Sequence, residues 1–108
     1  ASARFSDSVA DSTEAKAFIT TYQAKFQTPP DIYSAQGYQA VWLLAQALKT
    51  IPGKPTREAL ATALSKVTRL ERDVYGGEEM KNGQAETNGT LIVMWSADGK
   101  LVRWTPAK

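Results

Sequence analysis

The sequence predicts an α/β chain in which three helices come first and a β-hairpin comes last. Apolar residues recur at helical spacing between Ala15 and Phe26, and a long, almost wholly apolar helical segment follows Pro30. A short apolar run at Thr90 to Trp95 then meets Asp98-Gly99, a tight-turn signal, before a second short strand.

The first helix is expected from about residue 12 to 26. Asp11 and Glu14 form a variant capping box, with both carboxylates suited to the positive end of a helix dipole. Ala15, Phe18, Ile19, Tyr22 and Phe26 make one apolar stripe. Thr28-Pro29-Pro30 ends the helix, because a residue preceding proline is pushed out of helical geometry. The second helix is expected from about Ser34 to Thr50, with Tyr38, Val41, Leu44, Ala45 and Leu48 as its main stripe. Ala35, Ala40, Trp42, Leu43 and Ala47 make most of its remaining surface apolar as well. Such a helix is normally covered on several sides, and three helices with one hairpin offer little to cover it.

Pro52-Gly53-Lys54-Pro55 is a turn, after which Thr56 caps a narrow, peripheral helix through about Val67. Arg69 to Glu86 reads as polar and irregular, punctuated by Gly76-Gly77 and Asn82-Gly83. Thr90 to Trp95 suits a strand covered on both faces, followed by a strand at about 100–104.

Composition removes several function classes. The chain of 108 residues has neither cysteine nor histidine, which excludes disulfides, Cys-rich zinc sites, Cys nucleophiles and His-dependent triads within it. The net charge of +2 is too even for a nucleic-acid footprint. The longest apolar runs are far short of the ~20 residues of a membrane helix, and residues 1–11 lack the apolar centre of a signal peptide.

The candidate chemistry is sparse. Asp73, Glu78 and Glu79 form the densest acidic cluster, in a glycine-rich stretch that reads as a solvated turn. Asn88-Gly89-Thr90 matches the glycosylation pattern but reads more naturally as a turn into a strand. Trp42, Trp95 and Trp104 sit inside elements where core packing is the default role. Lys66, Arg69 and Arg72 are interrupted by acids and read as a solvated face. The segment Pro29 to Tyr38 stands out, because it delivers Tyr33, Ser34 and Gln36 at a helix start, where free N–H groups favour a polar ligand group. The simpler reading makes Ser34 the cap, with Tyr33 packed beside it.

Phe18-x3-Tyr22-x3-Phe26, Pro30-Asp31 and Gly37-Tyr38-Gln39-Ala40 leading into Leu43-Leu44-x2-Ala47-Leu48 resemble the type I periplasmic solute-binding proteins, in their branched-chain amino-acid form serving ABC transporters. Thr56 to Leu60, Tyr75-Gly76-Gly77, Asn82-Gly83-Gln84 and Ala97 to Lys100 agree in order. Gln39 departs from the pattern, since many relatives carry Asp there, and is expected to affect local packing more than binding.

The resemblance implies the C-terminal part of a two-lobed fold joined by three crossovers. Residues 1–85 would complete the first lobe, with 1–7 near the second crossover, and residues 86–108 would supply the third crossover and a hairpin of the second lobe. It implies an extracytoplasmic protein (periplasmic, or lipid-anchored in a Gram-positive) that closes on an amino acid or similar small organic solute and delivers it to a membrane ABC permease. It implies no enzymatic activity, cofactor, metal or nucleic-acid partner. Tyr33 matches a position where the family sets an aromatic side chain against the ligand, with Gln36, Arg4 and Phe5 as further candidates. A sensory-receptor ectodomain and a stand-alone helical interaction module are the alternatives.

Overall fold

The computed structural model describes residues 2–3, 5–76, 78–86 and 91–107. The chain runs β1 (Ser2–Ala3), α1 (Thr13–Phe26), α2 (Ile32–Leu48), α3 (Arg57–Ser65), β2 (Glu79–Lys81), β3 (Gln84–Glu86), β4 (Leu91–Trp95) and β5 (Leu101–Arg103). Each helix starts with a side chain that satisfies an otherwise free backbone N–H. Ser12 Oγ accepts from Ala15 N, Asp31 Oδ1 from Ser34 N, and Thr56 Oγ1 from Ala59 N. The caps of α1 and α2 therefore differ from the expected Asp11 and Ser34. The Asp11 carboxylate instead pairs with Arg103 at 3.0 Å. Asp31, directly after Pro30, starts α2 early, and Ser34 becomes a first-turn residue whose hydroxyl donates back to Asp31 at 2.7 Å. The third helix stops short of Val67, because Lys66 and Val67 donate to Ala63 and Leu64, a tightening of the last turn.

Two small antiparallel sheets follow. β2 and β3 form a hairpin over Asn82-Gly83, both at positive φ (51° and 76°), as a two-residue hairpin turn requires. This hairpin replaces the irregular stretch expected there, because its charged flanks show no alternation that marks strands. The other sheet has the order β1-β4-β5. Ser2 pairs with Ile92, while Met94 opposes Val102 and Trp95 opposes Leu101. Contrary to expectation, β4 is not covered on both faces: Val93 is buried, but Ile92 and Met94 on the other face are exposed, as is Trp95 at the strand's end. Trp104 is exposed as well, so neither Trp95 nor Trp104 is a core residue.

The core is a cluster of Phe5, Ala15, Phe18, Ala35 and Val74. Phe18 lies 5.8 Å from Phe5, 5.7 Å from Tyr22 and 4.6 Å from Tyr38, measured between ring centroids. Edge-on and tilted contacts of this kind are favoured by the ring quadrupole. Gln39 is buried and its Oε1 accepts from Val74 N at 3.0 Å. One heptad on, Gln46 donates to Arg69 O and accepts from Glu71 N, so both glutamines fasten the 69–74 loop to α2.

The opposite side of α2 is bare. Val41, Leu44 and Leu48 are exposed, Val41 by 65%. The radius of gyration is 16.3 Å, where a compact domain of this length is near ~13 Å. No helix among the described residues is long and apolar enough to cross a membrane.

Phe18→Ala is expected to cost about 3–5 kcal/mol of unfolding free energy, and Phe26→Ala, at an exposed ring, distinctly less; chemical denaturation checks both. Hydrogen bonds from the Ser34 hydroxyl and backbone N–H hold the Asp31 carboxyl below its ordinary 3.8. Because the folded value is the lowered one, this stabilisation is fully present above 3.8 and fades as pH falls below it. Asp31→Asn should flatten that part of the acid limb in a pH series of denaturation midpoints; an unchanged limb would count against the cap.

Candidate functional site

The start of α2 is built by interlocking polar groups. Asp31 holds both the backbone N–H and the hydroxyl of Ser34, and Ser34 Oγ shares a further hydrogen bond with the Tyr22 hydroxyl at 3.1 Å. Tyr22 belongs to the aromatic cluster, so α1 sets the position of the α2 start. With Ser34 turned inward, Tyr33 projects outward and is 77% exposed. It does not pack beside the cap, as the simpler sequence reading had it. At 100° per residue, Tyr33, Gly37, Val41, Leu44 and Leu48 fall on one side of α2. Tyr33 thus heads the bare apolar stripe. A Cβ placed on Gly37 meets nothing within 4 Å, so the surface one turn beyond Tyr33 is open.

The other candidate residues lie elsewhere. Gln36 is exposed and lines a shallow apolar depression of about 200 Å³ with Gln39, Leu43, Tyr75 and Met80. Phe5 is 6% exposed and belongs to the core, its ring edge-on to Phe18. It also lines a polar cleft of about 320 Å³ with Ser6, Asp11, Tyr75 and Arg103. The structure therefore does not gather Tyr33, Gln36 and Phe5 into one pocket. Tyr75, which lines both the cleft and the depression, is the residue they have in common, and the sequence offered no signal for it beyond its place before a glycine pair. Arg4, Asn88-Gly89-Thr90 and Gly77 lie outside the described residues.

The acidic cluster is not a solvated turn throughout. Asp73 accepts from the backbone N–H of Tyr75, Gly76 and Glu78 at 2.7–3.1 Å, organising the loop that carries Tyr75. Glu78 is buried, while Glu79 is exposed and paired with Arg69 at 3.6 Å. Arg72 lies over the Trp42 ring at 4.0 Å, so this cation covers an aromatic face.

The polar cleft is bounded by chain segments far apart in sequence. The Asp11–Arg103 ion pair joins the start of α1 to β5. At this exposure such a pair contributes about 0–1 kcal/mol, so it orients the two segments more than it stabilises them.

Searches among curated proteins and solved structures return no match. A family model described as periplasmic binding protein matches residues 1–100. That family is a solute-binding one, of the type I, branched-chain amino-acid transport kind, non-enzymatic and extracytoplasmic in general. Three helices followed by small antiparallel strands are what a part of its fold would contain. The chain belongs to the periplasmic binding protein family.

Proposed function

We propose that the chain is part of the solute-binding protein of an ABC transporter, which takes up an amino acid or similar small organic solute by closing two lobes around it. Residues 1–85 complete the first lobe, and residues 86–108 supply a crossover and the hairpin of the second. The protein works outside the cytoplasm, in the periplasm or anchored by lipid at a Gram-positive surface, and hands its solute to a membrane permease.

The observation that carries this reading is the placement of Tyr33. A large aromatic side chain at 77% exposure, on a helix start that is itself rigidly capped, is ready for a contact the chain does not make internally. It presents an apolar ring with a hydroxyl handle beside the positive end of α2. The stripe below it, Val41, Leu44 and Leu48, suits a helix that lies on a sheet. In a sheet-and-helix lobe, a residue at the head of such a stripe reaches past the covered part toward the crevice. Gln36, one turn along, offers both a donor and acceptors to the solute. Phe5, whose ring is spent on the core, and Arg4 are the weaker candidates beside the crossover.

Closure follows from differential contact. A solute touching both lobes stabilises the closed arrangement over the open one by the contacts that only closure completes. The exposed Asp11–Arg103 pair, which bridges the start of α1 and β5, is weak enough to yield to such a movement. None of this needs a proton-transferring His or a nucleophilic Cys, and the chain has neither.

Isothermal titration of the intact protein against amino acids and aromatic acids tests the reading. Tyr33→Ala should weaken the bound solute about tenfold or more, about 1.4 kcal/mol, without lowering the melting temperature, because the ring is exposed. If no small solute binds, the transport reading fails.

A further inference from the structure

A third concavity lies between α1 and α2, with none of Tyr33, Gln36 and Phe5 in its lining. It is a groove of about 270 Å³ whose walls include Phe18, Tyr22, Phe26 and Tyr38. Phe18, 5% exposed, is its floor, and Phe26, 54% exposed, its open rim. The rings already tile one another, Phe18 with Tyr38 and Tyr22 with Phe26, each pair at 4.6 Å and tilted by 36° and 47°. Tyr22 is fixed by the bond between its hydroxyl and Ser34 Oγ, so this wall is pre-formed.

The charge around the groove selects the occupant. Lys25 and Arg72 both line it, with the Lys25 ammonium 5.5 Å from the centre of the Phe26 ring. Among the described residues neither cation is in an ion pair. Glu14 is the one acid in the lining, and it disfavours a second negative charge. The volume falls at the small end of ligand sites, which suits a single ring with one short substituent.

We propose that this groove binds a small flat aromatic monocarboxylate, its ring against Tyr22, Phe26 and Tyr38 and its carboxylate toward Lys25 and Arg72. The ring extends the existing edge-and-face ladder, and the carboxylate gives both cations a charge-assisted partner. The site lies wholly within this chain and does not depend on the transport reading.

The test uses the intact protein, and the ring resonances of the groove's own lining locate the binding. Benzoate, benzyl alcohol and cyclohexanecarboxylate are titrated while the ring resonances of Tyr22, Phe26 and Tyr38 are followed. Benzoate should shift all three saturably, and the neutral and the non-aromatic analogue should each bind about tenfold more weakly, as the loss of one charged or stacking contact predicts. The double variant Lys25→Gln/Arg72→Gln, at exposed positions, should weaken benzoate by about tenfold or more. Phe26→Leu should weaken it while leaving the charges in place. Absence of saturable shifts, equal binding of the three probes, or indifference to both variants would overturn the assignment.

Discussion

The packing of Phe18 is the interaction on which the rest of the chain depends. Its ring meets Phe5 from the N-terminal segment, Tyr22 from its own helix and Tyr38 from α2, and it is 5% exposed. Burying a phenyl ring contributes about 1.5–3 kcal/mol, and here that contribution joins three segments of the chain. Once Phe18 sets α2 against α1, Gln39 and Gln46 can reach the 69–74 loop. Asp73 then shapes that loop and places Tyr75 between the polar cleft and the depression beside Gln36. The same ring is the floor of the groove between the helices, so core packing and candidate recognition share one side chain.

The arrangement leaves α2 with two unlike faces. One is spent on the aromatic cluster and the loop; the other presents Val41, Leu44 and Leu48 to solvent below an exposed Tyr33. The outward face of the β4–β5 hairpin is similar, with Ile92, Met94, Val102 and Trp104 all exposed. Apolar area of this extent marks a surface that meets another surface. Under the proposed function, other parts of the two-lobed protein cover both faces. The extended dimensions of the chain accord with this account, since closure of a core around α2 would shorten them.

Much of the fold was legible in the sequence, for local reasons. The helices carry strong periodic stripes and proline or glycine stops, and Thr56 is the cap the sequence named. The apolar surplus of α2 was visible as too many leucines and alanines for the elements available. What was missed depends on tertiary competition. Asp11 was a plausible cap until Arg103, far along the chain, took its carboxylate. The β2–β3 hairpin carried a clear Asn82-Gly83 signal, but its flanking Glu, Lys and Gln residues hid the strands. β1 is only a pair of residues, held by its register against Leu91 and Ile92. At the candidate site, the exposure of Tyr33 could not be read from its type, because it follows from Ser34 being drawn inward by Asp31 and Tyr22. Tyr75 was legible only as part of a glycine turn, because its place between cleft and depression is set by the Asp73 carboxylate accepting its backbone N–H.

The central claim is that the Val41, Leu44 and Leu48 face of α2 is covered by the rest of a two-lobed protein. These 108 residues contain no cysteine, so a thiol introduced on that face is the only one within them. The direct measurement is the rate of thiol labelling of Leu44→Cys in the intact protein, compared with Gln23→Cys on the exposed side of α1. The account predicts that the Leu44 position is labelled far more slowly than the Gln23 position while the protein is folded, and equally fast once it is denatured. Equal labelling in the folded protein would contradict it.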